Sequence, residues 1–92
     1  MSWWIVMPYV SMFFGIIIRM FHNDHNPPHF HDEYQGQRGL FGMDGGMIKG
    51  NINSKTAKKL IQEWALMHQE ELMQNWQKAT QGKQIDRIEP LN

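Results

Sequence analysis

Apolar and polar positions along the chain follow a period of two in the first half and a period near 3.6 in the second. Residues 14–21, FGIIIRMF, put Ile16, Ile18 and Met20 on one face and Ile17, Arg19 and Phe21 on the other. That alternation of β-branched and aromatic residues predicts an interior strand. Residues 22–28 carry Asn, Asp and two prolines, which supply turn-forming side chains and remove two backbone donors, so a loop follows. Alternation resumes over residues 30–34, with His29, His31 and Glu33 on one face and Phe30, Asp32 and Tyr34 on the other. Residues 38–43 and 47–52 flank Asp44, Gly45 and Gly46, a pattern for a tight hairpin that turns Phe41, Met43, Ile48 and Ile52 to the core.

From Ser54 the period changes. Ala57, Leu60, Ile61, Trp64, Ala65, His68, Leu72, Trp76 and Ala79 fall on one side of a helix, opposite Lys55, Lys59, Gln62, Glu63, Glu70 and Gln77. Ser54 is a good N-cap and Gly82 is placed to stop the helix, which predicts one long element, with a break near His68 as a variant. Residues 83–92 read as an extended tail pinned by Ile85, Ile88 and Leu91. The expected fold is α+β, an antiparallel sheet of about four strands with one long C-terminal helix packed on one face.

Composition narrows this reading. A chain of 92 residues has room for one core, so residues 1–92 form a single domain. Residues 1–6 are expected to lie outside the core, and Met7 is itself a plausible start. The first 18 residues carry no charge and approach a membrane span in length, but Pro8 and Gly15 interrupt them and no basic residue precedes the run. No membrane role is expected. Nine basic residues balance nine acidic ones, which excludes a strong net field toward nucleic acid but leaves room for a local patch; Arg19, Lys49, Lys55, Lys58 and Lys59 are candidates, and a solvated helix face explains the lysines more cheaply. The absence of cysteine removes disulfides, thiolate catalysis and sulfur-based zinc sites, and is compatible with a cytoplasmic location. Trp3 and Trp4 fit either a dimer contact or packing on the sheet; oligomeric state is open, a homodimer included.

The chemistry concentrates in residues 22–34, which hold four of the five histidines together with Asp24, Asp32 and Glu33. His29 and His31, two apart on one strand face, can converge on one ion, with Asp24 or His25 arriving from the loop; the cofactor class would be a divalent metal such as zinc. The competing account is a hydrogen-bonded loop in which Asp24 and Asn26 cap turns and the two imidazoles bond loop carbonyls. His68 sits mid-stripe, between Trp64 and Leu72, where a leucine is expected. Either a backbone carbonyl satisfies it, or it reaches the Asp24 to His31 segment as a ligand, acid–base group or clamp. No serine lies in a nucleophile motif and residues 42–50 lack the Lys-Ser ending of a phosphate-binding loop.

The run MPYVSMFFGIIIRMFHNDHNPPHFHDEYQG, with WALMHQEELMQNW and the terminal IEPL, resembles a family of short bacterial proteins known only as a domain of unknown function, with the hallmark DHxPPHFHAxY. Asp24, His25, Pro27, Pro28, His29, Phe30, His31 and Tyr34 match in register, while Asp32 stands where the family has a small residue. The resemblance implies a gene placed beside that of another small domain, as in toxin–antitoxin pairs. The expected function is the first of the three that follow, and the other two are alternatives. One is an interaction module that binds a neighbouring-gene protein or RNA, with Asp24, His25, His29, His31, Tyr34 and His68 as binding candidates. Another is an RNA-cleaving toxin in which His25, His29 or His31 acts as acid or base and Asp24 orients an imidazole. The last is a metal-binding module on His29, His31 and one of Asp24, His25 or His68.

Overall fold

The computed structural model describes residues 9–22 and 24–92; the expected extension over residues 1–6, with Trp3 and Trp4, lies outside the described residues. Five strands and two helices follow one another as β1 (Tyr9–Phe13), β2 (Ile16–Arg19), β3 (His29–Tyr34), β4 (Gln37–Gly42), β5 (Met47–Gly50), α1 (Lys55–Met67) and α2 (Gln69–Thr80). The strands form one antiparallel sheet in sequence order, so β3 is central. The α+β class is as expected, and two of its details change.

The first correction concerns the strand count, five in place of about four. Residues 9–13 form β1, joined to β2 by a two-residue turn in which Phe14 and Gly15 both have positive φ, 50° and 78°. Such turns match the right-handed twist of a hairpin, but their sequence signal is Asn or Asp before Gly. A bulky Phe in that position hides the turn inside an apolar run. Gln35 and Gly36 make the equivalent connection between β3 and β4, with φ of 49° and 77°.

The second correction is that the helix is broken. His68 has φ −127° and ψ 26°, and its N–H bonds the carbonyl of Ala65, three residues back. The buried positions of α1 (Ala57, Ile61, Trp64, Ala65) and α2 (Leu72, Asn75, Trp76, Ala79) stay on one stripe through the break, so hydrophobic periodicity cannot reveal it. Glu70 and Glu71 in the first turn of α2 were the available signal, because acidic side chains favour a helix N-terminus. Ser54 caps α1 as expected, its side chain accepting from the Ala57 N–H at 3.0 Å.

Both helices lie on one face of the sheet. Trp64 packs between Phe13 and Phe30, Phe30 stacks on Phe41, and Ile16, Ile18, Met20, Ile52 and Ile61 fill the same layer. Each of these large side chains contributes roughly 1.5–3 kcal/mol by leaving water. Met47 turns toward the core while Ile48 is 55% exposed, against the expected inward Ile48. A bulge between Leu40 and Phe41 shifts the β4–β5 register and reverses the alternation there. The hairpin tip presses on α1: a Cβ on Gly45, at φ +86°, would lie 2.5 Å from the Gln62 Cα.

The tail is pinned by polar clamps as well as by buried Ile85 and Ile88. Buried Asn75 donates to the Asp86 carbonyl at 2.8 Å and accepts from its N–H at 3.0 Å; Trp64 Nε1 donates to the Glu89 carbonyl, and the Ile88 N–H to the Val10 carbonyl. No described helix is long and apolar enough to cross a membrane.

Candidate metal centre

The loop between β2 and β3 brings Asp24 to the first residues of β3. Its outer end is tied to the segment after α2, because His22 Nε2 donates to the Lys83 carbonyl at 2.8 Å. The Asp24 carboxylate is oriented by its neighbour: Oδ1 accepts the His25 N–H at 3.0 Å, which turns Oδ2 inward. Oδ2 then lies 2.8 Å from His29 Nε2 and 3.0 Å from His31 Nε2. One ligand atom from each of Asp24, His29 and His31 lies within 4.8 Å of the others. His29 is 3% exposed, its ring beside Trp76 of α2 at 5.2 Å between centroids, and Phe21 stands edge-on to His31 at 4.4 Å.

The protonation pattern carries the chemistry. His29 Nδ1 is 2.7 Å from the Pro27 carbonyl, which can only accept, so Nδ1 holds a proton. A neutral imidazole has one N–H, which leaves a lone pair on Nε2, aimed at a carboxylate oxygen. Burial pushes the Asp24 carboxyl up, but the hydrogen bonds from His31 and the His25 N–H, with a positive charge and hydrogen bond at His29, outweigh it and hold the group below its ordinary value and ionised; the His29–Asp24 contact thus calls for a cation, either a second ring proton on Nε2 or a metal ion. Two lone pairs facing at 2.8 Å repel unless a cation lies between them. A bound ion would meet that need, and an Nδ1–H donated to a backbone carbonyl is how ligating histidines are ordinarily held.

Ligand atoms around a tetrahedral zinc stand roughly 3.3 Å apart, so the 2.8 and 3.0 Å spacings to Asp24 Oδ2 need open only slightly. Three protein ligands would leave one coordination position for water or substrate.

A family model described as Domain of unknown function (DUF4160) matches residues 15–77. The chain belongs to this family. Comparison with curated proteins and with solved structures finds no match. Within the DUF4160 match lie β2 to β5, α1 and all three residues of the cluster, whereas β1 and the tail fall outside it.

The other candidates fall elsewhere. The His25 side chain is 92% exposed, with Nδ1 3.3 Å from Asp24 Oδ1 at the rim of the cluster. Tyr34, at the far end of β3, packs partly buried against the core on the helix side. His68 does not join the cluster: Nδ1 donates to Glu71 Oε1 at 2.6 Å, and its ring lies 5.5 Å from that of Trp64. Both sequence expectations for His68 missed this partner, three residues ahead on the same helical face.

Asp32 has its carboxyl in the core, opposite Ile18 and Gly39, with neither oxygen hydrogen-bonded among the described residues. Burial pushes it well above its ordinary value.

Proposed function

We propose that this DUF4160 chain is a metal-binding module that holds one divalent ion, such as zinc, on Asp24, His29 and His31. The observation that carries the reading is the Pro27 carbonyl fixing the proton of His29 on Nδ1 while Nε2 faces the Asp24 carboxylate. Two imidazoles and a carboxylate suit zinc and other borderline divalent ions, and a set of three with an open position is the arrangement of reactive rather than purely structural sites. When bound, the ion would supply Lewis acidity at the open position. The residues of the chain would do the rest: Asp24 and His31 close the ligand set, the Pro27 carbonyl holds the His29 ring, and Trp76 keeps water from its buried side.

The test is elemental analysis of untagged protein purified without chelator, beside a His29→Ala/His31→Ala variant. About one equivalent in the parent and none in the folded variant is the expected result. No metal in either would overturn the reading and leave a proton as the cation between His29 and Asp24. That alternative favours the acid–base chemistry expected of an RNA-cleaving toxin, whose readout is growth arrest on induction, lost in His29→Ala. An interaction module acting on a neighbouring-gene protein or RNA is a separate proposal that rests on the family resemblance, and co-purification with the neighbouring product tests it.

A further inference from the structure

The face of the sheet turned away from the helices carries cations that the metal reading does not use. Arg19, His31, Leu40 and Lys49 are successive cross-strand partners from β2 to β5, so they form one row on one face. Neighbouring strands stand about 4.8 Å apart, which puts Arg19 one strand to one side of His31 and Lys49 two strands to the other. Arg38 comes from the adjoining row, opposite Glu33. With Phe21 and the Asp24 cluster, these side chains line a hollow of ≈ 800 Å³.

The charges in this hollow are unevenly satisfied. Glu33 takes Arg19 through Nε at 3.0 Å and Arg38 through Nε at 3.4 Å. The terminal guanidinium nitrogens of Arg19 and the Lys49 ammonium have no partner among the described residues. Three cations therefore share one acidic partner, since Asp24 is turned to the histidines. A divalent ion on His31 would add to the excess and leave a coordination position beside it.

We propose that this open face binds a phosphate ester, with the phosphate oxygens held between Arg19 and Lys49 and next to the metal at His31 and Asp24. The proposal rests on the metal reading above. Phosphate fits better than a carboxylate because a monoester offers three terminal oxygens and up to two charges, enough to meet cations on both sides of His31 and a metal position at once. The hollow is far larger than the phosphate group alone, and Phe21 and Leu40 give its walls apolar surface for the organic part of an ester.

The experiment is calorimetric titration of the zinc-loaded full chain with adenosine monophosphate and, separately, with inorganic phosphate. Arg19→Gln, Lys49→Gln and a control, Lys59→Gln, are titrated alongside, and zinc content is measured on every sample. Saturable binding that weakens by about tenfold or more in Arg19→Gln and Lys49→Gln, with zinc retained and Lys59→Gln unaffected, is expected. Binding of the nucleotide alone assigns the site to an ester; binding of both assigns recognition to the phosphate group. Full zinc occupancy with neither probe bound, or binding indifferent to Arg19 and Lys49, overturns this proposal and leaves the metal reading intact. A parent that takes up no zinc overturns both, on its own readout.

Discussion

His29 Nε2 stands 2.8 Å from Asp24 Oδ2, with its only neutral-state proton already committed to the Pro27 carbonyl on the opposite side of the ring. Two acceptors held face to face store a preference for any cation that fits between them, and that preference is measurable as stability. Addition of zinc to metal-free protein at about a hundredfold over its dissociation constant should stabilise the fold by about 2.7 kcal/mol. For a domain of this size the melting temperature should rise by on the order of 10 °C. Asp24→Asn should lose the shift, and His68→Gln should keep it, since His68 bonds Glu71 and lies apart from the ligand set. A shift of equal size in Asp24→Asn would place the ion elsewhere.

Asp32 puts a buried carboxyl, with no hydrogen-bond partner among the described residues, opposite Ile18 and Gly39. Asp32→Ala should stabilise the protein by about 1–3 kcal/mol at neutral pH, the cost of burying a polar group without a hydrogen bond. Urea unfolding at equal pH measures it.

The same group sets a pH dependence. Because burial raises its folded-state value above the ordinary 3.8, the native chain keeps this proton where the unfolded chain releases it. Its contribution is therefore whole below pH 3.8 and is lost as pH rises through the folded value. The advantage of Asp32→Ala over the parent should widen as pH is raised from 4 toward neutrality; a gap that stays constant over that range would mean the carboxyl is solvated.

Gly45 combines a positive φ with a backbone approach to α1 that no side chain can enter without displacing Gln62. Gly45→Ala should cost about 1–3 kcal/mol, seen as a lower urea midpoint. The exposed turn glycine Gly36, whose added Cβ would meet nothing within 4 Å, should cost less on the same change.

Asn75 is buried and spends both ends of its amide on Asp86. Asn75→Ala should remove about 1–3 kcal/mol and, more specifically, speed amide exchange of Asp86 and Ile88 ahead of the strands. Uniform loss of protection across the sheet would show instead that the tail folds as one unit with the core.

Local chemistry made much of this protein legible in its sequence. Alternation grouped Ile16, Ile18 and Met20 on one face and Phe30 with Asp32 and Tyr34 on another, the 3.6 period grouped Ala57, Ile61, Trp64 and Ala79, and the Pro-rich loop before His29 marked where histidines and Asp24 would gather. These are properties of neighbours in the chain, set by backbone periodicity and by what proline and asparagine permit. Tertiary structure decided the rest, including which strand faces are buried. The turn at Phe14 depends on strands that hold a bulky residue at positive φ, the break at His68 leaves the apolar stripe unchanged, and the bulge at Ile48 of β5 exchanges Ile48 for Met47. Which histidine would face Asp24 was beyond spacing alone: the Pro27 carbonyl chose the proton position on His29, and the strand register carried Arg19 and Lys49 onto the face of His31 from residues 12 before and 18 after it.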